Sequence, residues 1–325
     1  MQRILVFFSH IFTEPALREV QRRHPSARLE RMLGHRVAVF LYPGTFSQFV
    51  QPWLERPPVY IHHALPVLAP DGIRAAGSLT STGESLGAHV LCPDTHEPLA
   101  DEQNRLRKRL RGRGRRLSER IHDSILTLVP DGSGSYFMCK HSARENLTPW
   151  SDGIPRFTEK TLNRSGPKLL EALSLLPVHP TPGDRALDLG CGMGSWTRIL
   201  RERGLIVYSV DQRLPVRPLR EDPGVHFHRA SAEAYLQRAP RNLNLIVNDM
   251  IMDAQDSARL MTTYAKYLAP HGRALMTLKL RPRNRNRVLD HSLRILRGAY
   301  RITHLRQLYM NKNEMTALLR PRREK

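Results

Sequence analysis

A glycine-spaced loop, Asp188-Leu-Gly190-Cys-Gly192-Met-Gly194-Ser-Trp196, directly follows a short apolar run and opens a helical pattern. Glycines there let the backbone turn tightly and come close to a bound molecule, so a nucleotide-like cofactor belongs on this loop. Asp211 closes the next apolar run, about twenty residues on, where a carboxylate accepts hydrogen bonds from the two hydroxyls of a ribose. A dinucleotide fingerprint would read G-x-G-x-x-G, but here the pattern is G-x-G-x-G, with Ser195 where the third glycine would fall. That spacing suits S-adenosylmethionine, which has no pyrophosphate to seat on a helix N-terminus, and it disfavours a nicotinamide-dependent dehydrogenase. Four charged residues stand near the same places in the pattern. Lys168 precedes Arg185–Leu189, Asp249 follows Leu243–Val247, Lys279 follows Ala274–Leu278, and Glu314 lies near the last apolar segment. Singly, each is the kind of residue that sits solvated or paired at a strand end. Beside the glycine loop, two amines and two carboxylates are candidate catalytic groups. Cys191 reads as a small packed side chain rather than a reactive thiol.

The elements that must position these groups alternate from Lys168 onward. Leu169–Leu176 and Trp196–Glu202 carry apolar residues at helical spacing, and Ser257–Leu268 does the same. Short apolar runs at Arg185–Leu189, Leu205–Val210, Val225–His228, Leu243–Val247 and Ala274–Leu278 predict strands. Repeated strand–helix units make a doubly wound, mostly parallel sheet, and such sheets bind ligands at the carboxyl ends of their strands. The first half differs. Its β-like runs, Arg3–Ser9, Val37–Leu41, Val59–Ile61, Val67–Leu68 and His89–Leu91, are broken by Pro and Gly and predict a smaller α/β or α+β domain. Ile121–Leu128 reads as a strand or short helix and Asp131–Ser135 as a turn. The expected division is an N-terminal domain over 1–141, a linker over 142–164 with a polar, proline-containing start, and a second domain over 165–325.

The chain has 325 residues, about two domains' worth, at 40% hydrophobic and 25% charged, a globular composition that excludes a mainly disordered chain. Its 51 Lys and Arg against 30 Asp and Glu leave +21, which favours polyanionic partners such as nucleic acid or an acidic membrane surface. The surplus is uneven, +6 over 1–150 and +15 over 151–325. The densest run, Arg105–Arg116, is either a phosphate-contacting surface or a solvated amphipathic helix, since Leu106, Leu110 and Leu117 fall at helical spacing. Three cysteines, Cys92, Cys139 and Cys191, lie too far apart in sequence for a disulfide framework or a finger-type zinc site. No apolar stretch approaches 18 residues, so a reducing cytoplasm is the expected compartment, with no membrane, no metal and no obligate protein partner.

These residues resemble the FtsJ-like ribose 2′-O-methyltransferases. Lys168, Asp249, Lys279 and Glu314 follow the order and approximate spacing of that family's Lys-Asp-Lys-Glu tetrad. Matching segments are Gly153-Ile-Pro-Arg156, Arg164-Ser165, Lys168-Leu169, Glu171-Ala172, Asp188-Leu-Gly190, Trp196-Thr197, Val207-Tyr-Ser-Val-Asp211, Asp249-Met250 and Leu278-Lys-Leu280, within roughly 142–318. The resemblance implies a Rossmann-like S-adenosylmethionine-dependent methyltransferase domain behind a smaller domain that is a candidate for RNA binding. It implies cofactor contacts from Ser165, Asp188, Gly190, Gly192, Met193, Gly194, Ser195, Trp196, Asp211, Ser231 and Asp249. The implied substrate is RNA, 23S ribosomal RNA in particular. Two departures stand out. The family's loop usually has Pro-Gly-Gly before the Trp, where this chain has Met193-Gly194-Ser195, and the acidic residue expected after the third strand is replaced by Ala230-Ser231-Ala232, with Glu233 the nearest carboxylate.

A ribose hydroxyl is a poor nucleophile near neutral pH, so methylating it needs a positioned base and an aligned attack. Lysine serves only as the free amine, and its ordinary pKa of about 10.4 keeps it protonated. A second cation nearby lowers that value and a close carboxylate raises it. Lys279 is the expected base, Lys168 the second cation, and Asp249 and Glu314 the groups that orient them. Arg281, Arg283, Arg285 and Arg287 occupy alternate positions just beyond and, if the segment is extended, would place four guanidiniums on one face for successive phosphates. Two other readings compete. A methyltransferase of a small molecule or protein side chain would need neither the two lysines nor the basic surface. An RNA-binding protein that has kept the fold and lost activity would fail to bind the cofactor in calorimetry.

Overall fold

The computed structural model describes residues 1–69, 84–118 and 122–322, so Ile121 of the expected strand lies outside the described residues. The chain divides into two compact units, Met1–Arg156 and Phe157–Lys325.

In the first unit, eight strands form one mixed sheet. They are β1 (Gln2–Phe8), β2 (Arg28–Leu33), β3 (Val37–Tyr42), β4 (Ile61–Ala69), β5 (Ser85–Val90), β6 (Arg116–Leu117), β7 (Ser124–Pro130) and β8 (Tyr136–Ser142), in the order β2-β3-β1-β4-β8-β7-β5-β6. β1 is central to its half of the sheet, and its apolar run Ile4–Phe8 is wholly buried, as a strand covered on both faces requires. The helices Thr13–Arg23 and Phe46–Glu55 cover this half with Ala16, Val20, Phe49, Val50 and Trp53. Thr45 and Gln48 start the second helix with a reciprocal capping box. The other half has its own core, in which Leu106 and Leu110 of the helix Ala100–Gly112 meet Leu86, Val90, Leu126 and Leu128. The cationic run therefore lies largely on an amphipathic helix, with Arg105, Lys108, Arg109 and Arg111 on its exposed side. β5 and β7 are parallel, which requires a crossover, and this helix lies in that connection.

The stretch 142–156, expected to begin a linker, packs into the first unit instead. Asp152 is fully buried, its carboxylate accepts from the Ile154 amide at 3.1 Å and pairs with Arg156, and its carbonyl lies 3.1 Å from His96 Nε2. Ser151 Oγ is 2.8 Å from His89 Nε2. Polar residues here are structural because they satisfy buried partners.

The second unit is a doubly wound sheet of seven strands. They are β9 (Arg185–Leu189), β10 (Ile206–Asp211), β11 (Val225–Arg229), β12 (Leu243–Asn248), β13 (Leu268–Lys279), β14 (Tyr300–Arg306) and β15 (Glu314–Pro321). Their order is β11-β10-β9-β12-β13-β15-β14, and all are parallel except β15, which runs antiparallel to both neighbours. The strand order reverses between β9 and β12, the crevice where ligands bind in open sheets. Leu169, Leu170 and Ala172 of the helix Gly166–Leu175 pack with Trp196, Ile199 and Leu200 of the helix Ser195–Glu202 over Ala186, Val207, Leu245 and Val247. The helix expected over 257–268 runs from Ala254 to Tyr264, capped by the Asp253 side chain on the Gln255 amide.

Candidate active site

Asp249 and Lys279 reach one edge of the sheet because their strands are parallel and in register. Asn248 pairs with Leu189 and with Met276, so Asp249 emerges beside the glycine loop while β13 runs three residues further to Lys279. Glu314 reaches the same edge by the opposite route. As the first residue of an antiparallel strand, it lies directly across from Lys279. Lys168 enters from the first turn of the helix Gly166–Leu175, whose Pro167 suits a position where the missing amide costs nothing.

The four side chains close into a ring of alternating charge. Lys168 Nζ is 2.6 Å from Glu314 Oε2 and 3.6 Å from Asp249 Oδ1. Lys279 Nζ is 3.0 Å from Glu314 Oε1 and also bonds Asp249 Oδ1. Thr277 adds a hydroxyl donor to the same Asp249 oxygen at 2.5 Å. All four side chains keep between 13% and 18% of their surface exposed, so the ring is sheltered yet reachable. Burial works against the charge on Lys279, but Asp249 and Glu314 outweigh it and raise the ammonium above its ordinary range. Burial likewise opposes ionisation of Glu314, and the two lysines overcome it and lower its carboxyl. The expectation that a second cation would depress Lys279 is therefore corrected: two carboxylates in contact outweigh one lysine.

The glycine loop lies at the end of β9. Gly190 has φ +72°, and a Cβ there would meet Met250 Cγ at 2.1 Å, so loop and Asp249 segment are in close contact. Gly190 and Cys191 amides donate to the Val210 carbonyl at 2.8 and 3.2 Å, tying the loop to β10. Gly192 faces open space, since a Cβ would meet nothing within 4 Å. Asp211 accepts from the Gly192 amide at 2.8 Å and the Arg213 amide at 2.8 Å while remaining partly exposed. Met193 is 51% exposed on the loop. Gly194, at φ +92°, starts the following helix where a Cβ would meet Leu219 Cδ1 at 2.3 Å. Ser195 Oγ is buried without a hydrogen-bond partner. Ser231 caps a short helix through the Ala234 amide at 3.2 Å, and the adjacent Ala230 amide donates to the Asp211 carbonyl. An open cradle of backbone beside a strand-end carboxylate fits a nucleoside-bearing cofactor.

Two of the residues expected to contact a cofactor brace the loop from within. Asp188 is 2% exposed and accepts from the Thr197 hydroxyl at 2.7 Å and the Thr197 amide, and burial raises its carboxyl to about 7. Trp196 is buried, and its Nε1 donates to the Ser165 carbonyl at 2.8 Å, joining the Lys168 helix to the loop. Ser165 Oγ donates to Asn163 Oδ1. Burial, with Asp188 and Asp211 nearby, pushes the Cys191 thiol up, as a packed side chain would be.

The arginine run is not extended. Asn284 adopts φ +61° and starts the helix Arg285–Leu296, so Arg281 and Arg283 precede the helix and Arg285 and Arg287 belong to its first turn. Arg285 donates to Asn313 Oδ1 at 3.1 Å, and Arg281, Arg283 and Arg287 are exposed. Sequence reasoning missed Thr277, Asn248 and Gly166. Asn248 Oδ1 accepts from the Met250 amide at 2.9 Å and its Nδ2 donates to Ser257, shaping the turn that presents Asp249. At Gly166 a Cβ would meet Thr161 at 2.6 Å and Ser195 Oγ at 2.8 Å. An Asn before a strand-end Asp was the one readable signal.

Residues 161–283 match the family model described as FtsJ-like methyltransferase. Ribosomal RNA large subunit methyltransferase M of Halorhodospira halophila (strain DSM 244 / SL1) is 35% identical over 176 residues, covering 53% of this chain and 51% of that protein. The protein of the same name from Stenotrophomonas maltophilia (strain K279a) is 30% identical over 235 residues, 68% of this chain and 64% of its own. That from Sodalis glossinidius (strain morsitans) is 29% identical over 272 residues, 74% and 71%. The chain thus spans about half the length of the first of these relatives. The last match covers more than the second unit holds, so the likeness reaches into the first.

Proposed function

We propose, from the FtsJ-like methyltransferase domain that residues 161–283 carry, that this protein transfers a methyl group from S-adenosylmethionine to a ribose 2′-hydroxyl of large-subunit ribosomal RNA. The observation that carries this reading is the ring of Lys168, Asp249, Lys279 and Glu314 at the strand edge that also presents the glycine loop.

The cofactor, when bound, supplies an electrophilic methyl on a sulfonium. Gly190, Gly192 and Asp211 are the groups that would hold it, through backbone approach and a carboxylate acceptor. The remaining chemistry is the chain's own. A ribose hydroxyl entering the ring meets Lys279 Nζ, already aimed by two carboxylates. Lys279 takes the hydroxyl proton as the free amine, so it must first release one. Asp249 and Glu314 then stabilise the ammonium that forms, which is the state they already favour. Lys168 pairs with both carboxylates and holds them in the ring.

With Lys279 raised, the free-amine fraction and the rate increase about tenfold per pH unit across neutral pH. The test is methyl transfer from labelled S-adenosylmethionine to a large-subunit ribosomal RNA transcript, with the product mapped for ribose methylation. Lys279→Ala should lose about 1,000-fold or more in rate while binding the cofactor as wild type does. Glu314→Gln should move the pH profile to lower pH. Methylation on a base, or a Lys279→Ala variant that keeps its rate, overturns the reading.

A further inference from the structure

Glu171 is buried at 2% exposure, one helical turn beyond Lys168 in Gly166–Leu175. Its two carboxylate oxygens accept from consecutive backbone amides, Tyr309 at 2.7 Å and Met310 at 2.8 Å. These amides lie in the connection between β14 and β15, immediately ahead of Glu314. The same connection is tied elsewhere. The Leu280 amide donates to the Asn313 carbonyl at 2.7 Å, Arg285 donates to Asn313 Oδ1, and Asn311 Nδ2 donates to Thr316 Oγ1 at 3.0 Å. Residues 307–313 are therefore a junction between the helix that carries Lys168, the strand end that carries Lys279 and the strand start that carries Glu314.

We propose that Glu171 is a positioning residue that sets the Lys168–Glu314–Lys279 geometry by clamping this junction to the Lys168 helix, an inference that rests on the methyl-transfer reading above. Only a carboxylate offers two acceptors side by side. A glutamine would turn an NH2 toward one of the two amides and leave it opposed. An apolar replacement would strand both. The carboxylate is also costly to bury, and burial raises it to about 7, against the opposing pull of the two amides and of Arg306, the charged group facing it.

Ionised Glu171 grips both amides, and protonated Glu171 has one acceptor fewer. The logarithm of the wild-type rate should then climb with slope near 1 above about pH 7, where Lys279 alone limits it, and more steeply below, where Glu171 joins. Glu171→Gln should lower kcat by about 30- to 100-fold with little change in the KM for S-adenosylmethionine, and straighten the profile to a single slope. A second measurement needs no turnover: the Lys279 side chain, followed by NMR against pH, should titrate lower in Glu171→Gln because Glu314 is no longer held against it. An unmoved Lys279 titration overturns the proposal whatever the rate does. Wild-type protein that methylates no RNA, with the Lys279 titration still moved in the variant, overturns the reaction reading and supports the positioning.

Discussion

The two units differ in which buried groups burial shifts most, imidazoles in the first and carboxyls in the second, although the first also buries the ionised Asp152. In the first, His63, His89, His96 and His141 lie at or near zero exposure, with His63 and His96 packed against Phe7. Burial lowers His89, His96 and His141 to about 4 and His63 further, so this interior is built from neutral imidazoles. In the second unit, burial raises the carboxyls of Asp188 and Glu171 to about 7. The first unit spends its buried polar groups on holding itself together. The second places them against the glycine loop and the junction beside the charged ring. Acid therefore acts on the units with opposite sign. A histidine lowered on folding is charged more readily when unfolded, so its contribution is present above about pH 6.5 and drains away toward pH 4. A carboxyl raised on folding holds its proton better when folded, so its contribution grows as pH falls from about 7 toward 4. His228, half-buried against Tyr235, and Glu314, lowered by the two lysines, pull the second unit the other way, Glu314 only below its ordinary carboxyl range.

The largest expected effect follows from that sign difference. Between pH 6.5 and 4.5 the first unit should lose stability, each buried histidine costing on the order of 2 kcal/mol, enough for two or three to rival a domain's whole margin. The second unit should hold. Hydrogen exchange read separately over β1, β3 and β4 and over β9, β12 and β13 checks this, and simultaneous opening of both sets would break the comparison. A smaller effect isolates the second unit. Gly190→Ala places a side chain at φ +72° against Met250 and should cost about 2 kcal/mol there, with weaker cofactor binding and no change in the first unit. Calorimetry of the variant decides it. The smallest effect on stability is the most specific for partner choice. Reversing Arg281, Arg283 and Arg287 to glutamate should leave both units as stable as before and flatten the salt dependence of RNA affinity by about 2 to 3 in log–log slope. An unchanged slope removes these arginines from the RNA surface.

Much of the second unit was legible because its central strands are short apolar runs buried on both faces, each followed by a polar residue that must emerge at the sheet edge. That rule located Asp249 and Lys279 and, with the glycine loop, the crevice between β9 and β12. Glu314 was harder, since it opens a strand rather than closing one, and only the antiparallel direction of β15 brings it across from Lys279. Glu171 carries no readable signal beyond its place in a matching segment, because nothing in a helical period distinguishes a buried acid from a solvated one. The arginine run misled for a local reason: alternation suggests an extended chain, but Asn284 accepts a left-handed conformation and starts a helix. In the first unit, Pro66 divided what is one strand, β4, which pairs through Pro66 with Ile4 of β1 and meets β8 from Val67 onward. Residues 142–156 looked like a tether by composition, yet their polar atoms answer buried histidines.

The alternating ring has one further consequence. Two positive and two negative groups in contact cancel within a few ångströms, so the ring itself exerts little long-range pull on a polyanion. On the proposed reaction, recruitment of RNA falls to cations elsewhere on the surface, and the ring discriminates by hydrogen bonding at close range. On that reading capture and chemistry are separate tasks, so engineering a tighter grip on nucleic acid need not disturb the charged ring.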